Sequence, residues 1–144
     1  MIIDGTRAAD RATEVVLAYY AAFNRGDWAD LLALLADDVV HDINQGGREI
    51  GKELFEEFLR RMDRCYREQV RDVVLLANAE GNHIAAELTV HGQYLQDDSG
   101  LPPARGQAYV LSAGEFFALR DGLITRVTTY YNLEDWVTQV TRTC

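Results

Sequence analysis

From about Ala8 to Arg25 apolar residues recur at helical spacing: Val15, Val16, Tyr19, Tyr20 and Phe23 fall on one face. Leu17, Ala18, Ala21 and Ala22 fill much of the remaining circumference, a pattern that predicts burial on most sides. Gly26 ends this helix, and Asp27 caps a second one with a stripe of Trp28, Leu31, Leu32 and Leu35. Val39, Val40 and Ile43 predict a short strand closed by Gly46-Gly47. A third helix runs from about Lys52 to Tyr66, with Leu54, Phe55, Phe58, Met62 and Cys65 on one face. Glu56–Arg60 and Glu57–Arg61 make i,i+4 pairs on its wetter side.

The period then changes to two. Val70–Ala79 predicts a strand and Glu80-Gly81-Asn82 a turn. In the next strand Ile84, Ala86, Leu88, Val90, Gly92 and Tyr94 share the inner face, and His83, Glu87 and His91 the outer one. A loop from Asp97 to Arg105, stiffened by Pro102-Pro103, precedes a long strand from Gly106 to Leu119. The Arg120-Asp121-Gly122 turn, a last strand over about Leu123–Tyr131 and a short helix over Leu133–Val140 follow. The order predicts a single α+β domain across residues 1–144, with three N-terminal helices packed against a curved, mainly antiparallel sheet.

With 144 residues and 48% hydrophobic content the chain fills one core. Its formal net charge of −9, with no run of Lys and Arg, disfavours nucleic acid and anionic membrane surfaces as partners. Met1–Asp10 lacks the apolar run of a signal peptide, and no stretch reaches the roughly 18 apolar residues of a membrane span. Cys65 and Cys144 form no disulfide framework or zinc spacing, so a reducing cytoplasm is the expected compartment and no metal is expected.

The run Val15-Val16, Tyr19, then Ala-Ala-Phe-Asn-Arg-Gly-Asp at 21–27 and Leu-Leu-Ala-Asp-Asp-Val-Val at 34–40 is similar to the first two helices of ketosteroid isomerase. Glu87–Gly92, Gly114–Gly122 and the Tyr-Tyr-Asn ending of Arg126–Asn132 resemble the strand pattern of the SnoaL-like polyketide cyclases. Over roughly residues 10–140 the chain thus resembles the NTF2-like superfamily. The resemblance implies a cone-shaped fold around an apolar cavity, a homodimer packed through the outer sheet face, and a small hydrophobic molecule as partner. It places Tyr19 on the isomerase's tyrosine and Glu115 on its oxyanion-holding acid, a carboxyl kept neutral by an apolar site. The isomerase's base position falls on Ile43, with Asp42 one residue before. A one-residue slip turns a strand side chain to the other face, so Asp42 serves only if a bulge re-aims it.

Glu115 sits among apolar residues of a strand whose odd positions point inward, where burial raises a carboxyl's pKa. His41 is a candidate general base, set against the role of a structural histidine. Asn44 and Asp42 compete with turn hydrogen bonding for their roles. Tyr94, Tyr109, Phe117, Tyr131 and Trp136 are candidates to line or close the cavity, against ordinary core packing. Asn132 either binds ligand or caps the last helix. Three functions follow. One is a cofactor-independent isomerase, cyclase or lyase doing acid–base chemistry on a hydrophobic carbonyl compound. The second is a non-catalytic binder of a small hydrophobic ligand. The third is a structural dimer whose cavity is filled by its own aromatics.

Overall fold

The computed structural model describes residues 2–142, with side chains from residue 7 onward; Cys144, counted above with Cys65, lies outside the described residues. Helix α1 (Ile2–Arg25) is followed by α2 (Trp28–Ala33), β1 (Leu35–Asp42), β2 (Arg48–Ile50) and α3 (Lys52–Cys65). Then come β3 (Tyr66–Ala77), β4 (His83–Tyr94), β5 (Gln107–Arg120), β6 (Leu123–Tyr131) and α4 (Leu133–Thr141). The six strands form one curled, unclosed sheet in the order β2-β1-β6-β5-β4-β3. All neighbours are antiparallel except β1 and β6, so the expectation of an α+β fold on a mainly antiparallel sheet holds.

The expectation of three helices ahead of the sheet does not. Four helices are present among the described residues, two of them short, and α3 is inserted after two strands have already formed. The second helix also stops at Ala33, and Leu35 instead opens β1, where it is buried. Its apolar spacing fits either element, and pairing with Ile124 of β6 decides for strand.

The local signals at the helix ends work as read. Gly26 adopts φ 69° after α1, a conformation that costs glycine little. Asp27 caps α2 by accepting from the Asp30 amide at 3.0 Å.

Helix α1 lies along the concave face, against β3 and β4. Ala12, Val16, Tyr19 and Tyr20 are buried, and they meet Leu88, Phe117 and Ile84 of the sheet in one core. Each such large apolar side chain contributes about 1.5–3 kcal/mol on burial. The opposite side of α1 does not follow the expectation of all-round burial: Leu17 is 49% exposed, and Ala18 and Ala21 are exposed. A helix resting in a concave sheet has cover on one side only. No helix of the described residues is long and apolar enough to cross a membrane.

Strand β3 begins at Tyr66, directly after α3, four residues earlier than its period-two pattern predicts. A bulge interrupts it between Arg71 and Val74, with Asp72 at φ 55°. The extra residue switches the inward parity. Before the bulge Glu68 and Val70 face the core side; after it Val73 and Leu75 do.

Candidate functional site

Between α1, α3 and the concave sheet lies a cavity of about 370 Å³, a size that suits a small organic ligand. Its walls are mostly apolar, with Phe23, Phe58, Leu88, Val90, Leu111 and Trp136 among them. Into this setting the fold places three carboxyl groups: Asp98, engaged by Tyr66 and Arg61, and the pair Glu115 and Glu68.

Glu115 comes from the inward row of β5. Both its oxygens accept hydrogen bonds: Oε1 from the Tyr20 hydroxyl at 2.7 Å and Oε2 from the Thr129 hydroxyl at 2.5 Å. Thr129 stands opposite Glu115 in the β5–β6 register, so the sheet itself sets this contact. Burial raises the Glu115 pKa above the ordinary carboxylate range; the two hydroxyl donors oppose that rise by favouring the charged form.

Tyr19, which the sequence places on the tyrosine position, does not bond Glu115; its neighbour Tyr20 does. Both phenols are buried, and both rings pack edge-on against Phe117, at 5.3 Å for Tyr19 and 5.8 Å for Tyr20. The Tyr19 hydroxyl has no hydrogen-bond partner among the described residues, and Tyr19 lines the cavity. Burial first, and then the nearby Glu115 charge, raise its pKa. It stays a neutral donor.

Glu68 is the site residue that sequence reasoning misses. It is half-buried in the cavity wall, and its Oε2 accepts from the Tyr109 hydroxyl. Its Oε1 has no hydrogen-bond partner among the described residues. Burial pushes its pKa up to about 7; the Tyr109 bond pulls down and the Glu115 charge pushes up. Tyr109 itself is 2% exposed and holds Glu68 from behind instead of facing the cavity.

His41 lines the cavity, 4% exposed, between the rings of Phe55 and Phe58 at 4.5 Å each. Burial lowers its pKa to about 4, against the attraction of Asp42, so the ring is neutral at pH 7. Its Nδ1 is buried without a partner. Asn44 also lines the cavity; its Oδ1 accepts from the Tyr131 amide at 3.2 Å, while its Nδ2 is buried and unpaired. Tyr131 and Trp136 complete this side.

Besides Tyr109, four candidates fall elsewhere. Asp42 belongs to the other face of β1. Arg48 holds it through two bonds at 2.7 and 3.1 Å, and Thr128 donates to it at 2.8 Å. Those hydrogen bonds, led by Arg48, keep its carboxyl below its ordinary range. The irregularity in β1 between Leu35 and Val40 leaves Asp42 off the cavity wall, and Ile43, which the resemblance aligns with the isomerase's base, lines it instead. Phe117 is fully buried core. Tyr94 ties down the loop before β5: it donates to the Pro102 carbonyl at 2.7 Å and accepts from the Asp98 amide at 2.9 Å. Asn132 caps α4 by accepting from the Asp135 amide at 3.1 Å. Among the described residues no cluster of His, Cys, Asp and Glu is arranged to hold a metal ion.

A search of curated proteins finds no match. Among solved structures, a protein assigned as a polyketide cyclase from Xanthomonas campestris pv. campestris is 59% identical, with a TM-score of 0.90 over 93% of this chain and 99% of that one. A second, from Pseudomonas putida KT2440, is 62% identical, with a TM-score of 0.89 over 90% and 98%. An LEH-like epoxide hydrolase of M. tuberculosis shares the fold at 21% identity, a TM-score of 0.73 and coverage of 92% and 90%. The family model for the SnoaL-like domain matches residues 16–127, and the chain belongs to the SnoaL-like domain family.

Proposed function

We propose that the protein is a cofactor-independent acid–base catalyst acting on a hydrophobic carbonyl compound, an isomerase or cyclase with Glu115 as its base. The observation that carries this reading is a carboxyl on the wall of an apolar cavity, with each oxygen bonded to a hydroxyl donor. Two such donors favour the carboxylate, while burial keeps it basic enough to take a proton from carbon near neutral pH. Tyr19 is the second participant: its unengaged phenol donates to the carbonyl oxygen as charge develops there. The name given to the relatives, polyketide cyclase, fits a reaction that forms an enolate and joins it to a second carbonyl. In the same reading His41 and Asn44 contact the substrate, Tyr131 and Trp136 enclose it, and the working unit is a homodimer.

A non-catalytic binding role has its own support in Ile43, which leaves the isomerase's base position without an acid. The two readings separate on proton exchange. The test is the exchange of the α-hydrogens of 2-tetralone in D2O, followed by proton NMR. Exchange above the buffer rate that Glu115→Gln abolishes, while melting temperature and ligand-induced stabilisation persist, supports catalysis. Stabilisation by the ketone without exchange supports the binder and overturns the catalyst.

A further inference from the structure

We infer that Glu68 is a catalytic acid, the proton-donating partner of Glu115 across the same cavity. The inference rests on the reading of Glu115 as the base and adds to it the group that handles the substrate oxygen's proton.

The geometry assigns the roles through the hydrogen bonds each carboxyl receives. Glu115 accepts two hydroxyl donors, one on each oxygen. Glu68 accepts one, from Tyr109, and keeps Oε1 without a partner among the described residues. Two like charges in one apolar cavity oppose each other, so the first ionisation goes to the carboxyl with more donors. Glu115 is then the carboxylate and Glu68 the neutral acid. Environments that separate two carboxyls in this way define an acid–base pair.

The other charged and titratable groups around the cavity do not reverse this. On α3, Arg61 lies 3.6 Å from Asp98, so this cation faces a carboxylate of its own. On β1, His41 is neutral at pH 7. Tyr66 of β3 donates to Asp98 at 2.6 Å, and Tyr20 of α1 is engaged with Glu115. Tyr131 of β6 and Tyr19 of α1 are phenols whose pKa values burial raises, and they remain uncharged.

The step balances without a further reagent. The C–H bond beside the carbonyl breaks, and its proton goes to a Glu115 oxygen. The electron pair forms the new C=C bond, and the carbonyl π pair moves onto oxygen. The oxygen takes the Glu68 proton to give an enol, leaving Glu68 as a carboxylate. In return, Glu115 delivers its proton to a carbon of the conjugated system and Glu68 recovers its own from the enol oxygen.

The test is the pH profile of 2-tetralone exchange for the intact chain, with Glu115→Gln, Glu68→Gln and Tyr109→Phe. Positioned proton transfer contributes on the order of 10²-fold or more. The wild-type rate should fall on the alkaline side as Glu68 loses its proton. Glu68→Gln should lower the plateau on the order of 10²-fold and remove that fall. Tyr109→Phe, which takes a donor from the Glu68 carboxylate, should move the fall to higher pH. Loss of exchange in Glu115→Gln together with an unchanged Glu68→Gln profile overturns the role of Glu68 alone. Unchanged exchange in Glu115→Gln overturns the base assignment and this inference with it. Carbon-13 NMR of glutamate carboxyls reads Glu68 without turnover: a resonance, absent in Glu68→Gln, that titrates in the ordinary carboxylate range overturns the proposal whatever the kinetics show.

Discussion

The Tyr109 hydroxyl reaches Glu68 across an intervening strand, over Gly92. Gly92 pairs with Glu68 of β3 on one side and with Tyr109 of β5 on the other. A Cβ at position 92 would fall inside the Tyr109 ring. The missing side chain is therefore the gap through which the phenol passes. Gly92→Ala should displace Tyr109 and destabilise the fold by about 1–3 kcal/mol, the usual cost of overpacking. In a Tyr109→Ala background the same substitution should cost much less, because the clashing partner is gone. Urea denaturation of the two single variants and the double variant measures that coupling. Additive costs would show that the ring does not need the gap.

Removing the donors to Glu115 tests its electrostatics separately. Tyr20→Phe deletes one of two hydroxyls that favour the carboxylate. The Glu115 pKa should rise further, and the acid limb of any Glu115-dependent rate should move to higher pH. Stability should fall by about 1–3 kcal/mol, the cost of a lost bond to a buried charged group. Tyr19→Phe should leave that limb in place and lower the rate, since Tyr19 makes no bond to Glu115.

Glu115 is legible from sequence because strand parity and an apolar neighbourhood both point it inward, and β5 has no bulge over residues 107–118 to upset the count. Tyr20 is harder to choose over Tyr19. Both lie on the buried face of α1, and only the orientation of Thr129 and Glu115 beneath them decides which phenol makes the bond. Glu68 is hidden for two reasons. Helix α3 passes into β3 without a loop, so the strand's first residues look like helix end and linker. The bulge at Asp72 then reverses parity, and alternation read from the second half of the strand turns Glu68 outward. The fold itself was readable because helix period, strand period and turn glycines agree over most of the chain.

Two groups of the cavity wall give stability opposite pH slopes. In the fold the Glu68 carboxyl is pushed from 4.5 to about 7. Between those values the folded state keeps a proton that the unfolded chain has lost, so stability falls as pH rises. The His41 ring is pushed from 6.5 down to about 4. Between about 4 and 6.5 the unfolded chain holds a proton that the folded state refuses, so stability rises with pH. The windows overlap, and the wild type should show a shallow dependence there. Because Glu115 is raised as well and adds to the falling side, Glu68→Gln should tilt the curve toward the rising slope and His41→Asn toward the falling one, each by at most about 1.4 kcal/mol per pH unit. Urea melts from pH 4 to pH 8 decide the matter; parallel curves for the wild type and both variants would refute it.

The outer sheet face carries exposed apolar side chains: Val74 and Leu76 on β3, Phe116 on β5 and Tyr130 on β6, with Val110 farther along β5. Leu76 is 70% exposed and Tyr130 58%, and the rings of Phe116 and Tyr130 pack edge-on at 5.9 Å as a single raised patch. Contiguous apolar surface of this kind marks an interaction site. A second copy of the chain is the occupant proposed, since one patch facing itself across a two-fold axis closes without leaving a free edge. Light scattering coupled to size exclusion should give the dimer mass for the wild type. Phe116→Lys should give the monomer, because two such lysines would meet near the axis with their charges desolvated. Phe116 points away from the cavity that Glu115 lines, so ketone-induced stabilisation should survive in the monomer. A wild-type chain that runs as a monomer, or a Phe116→Lys variant that remains dimeric, would rule out this face as the interface.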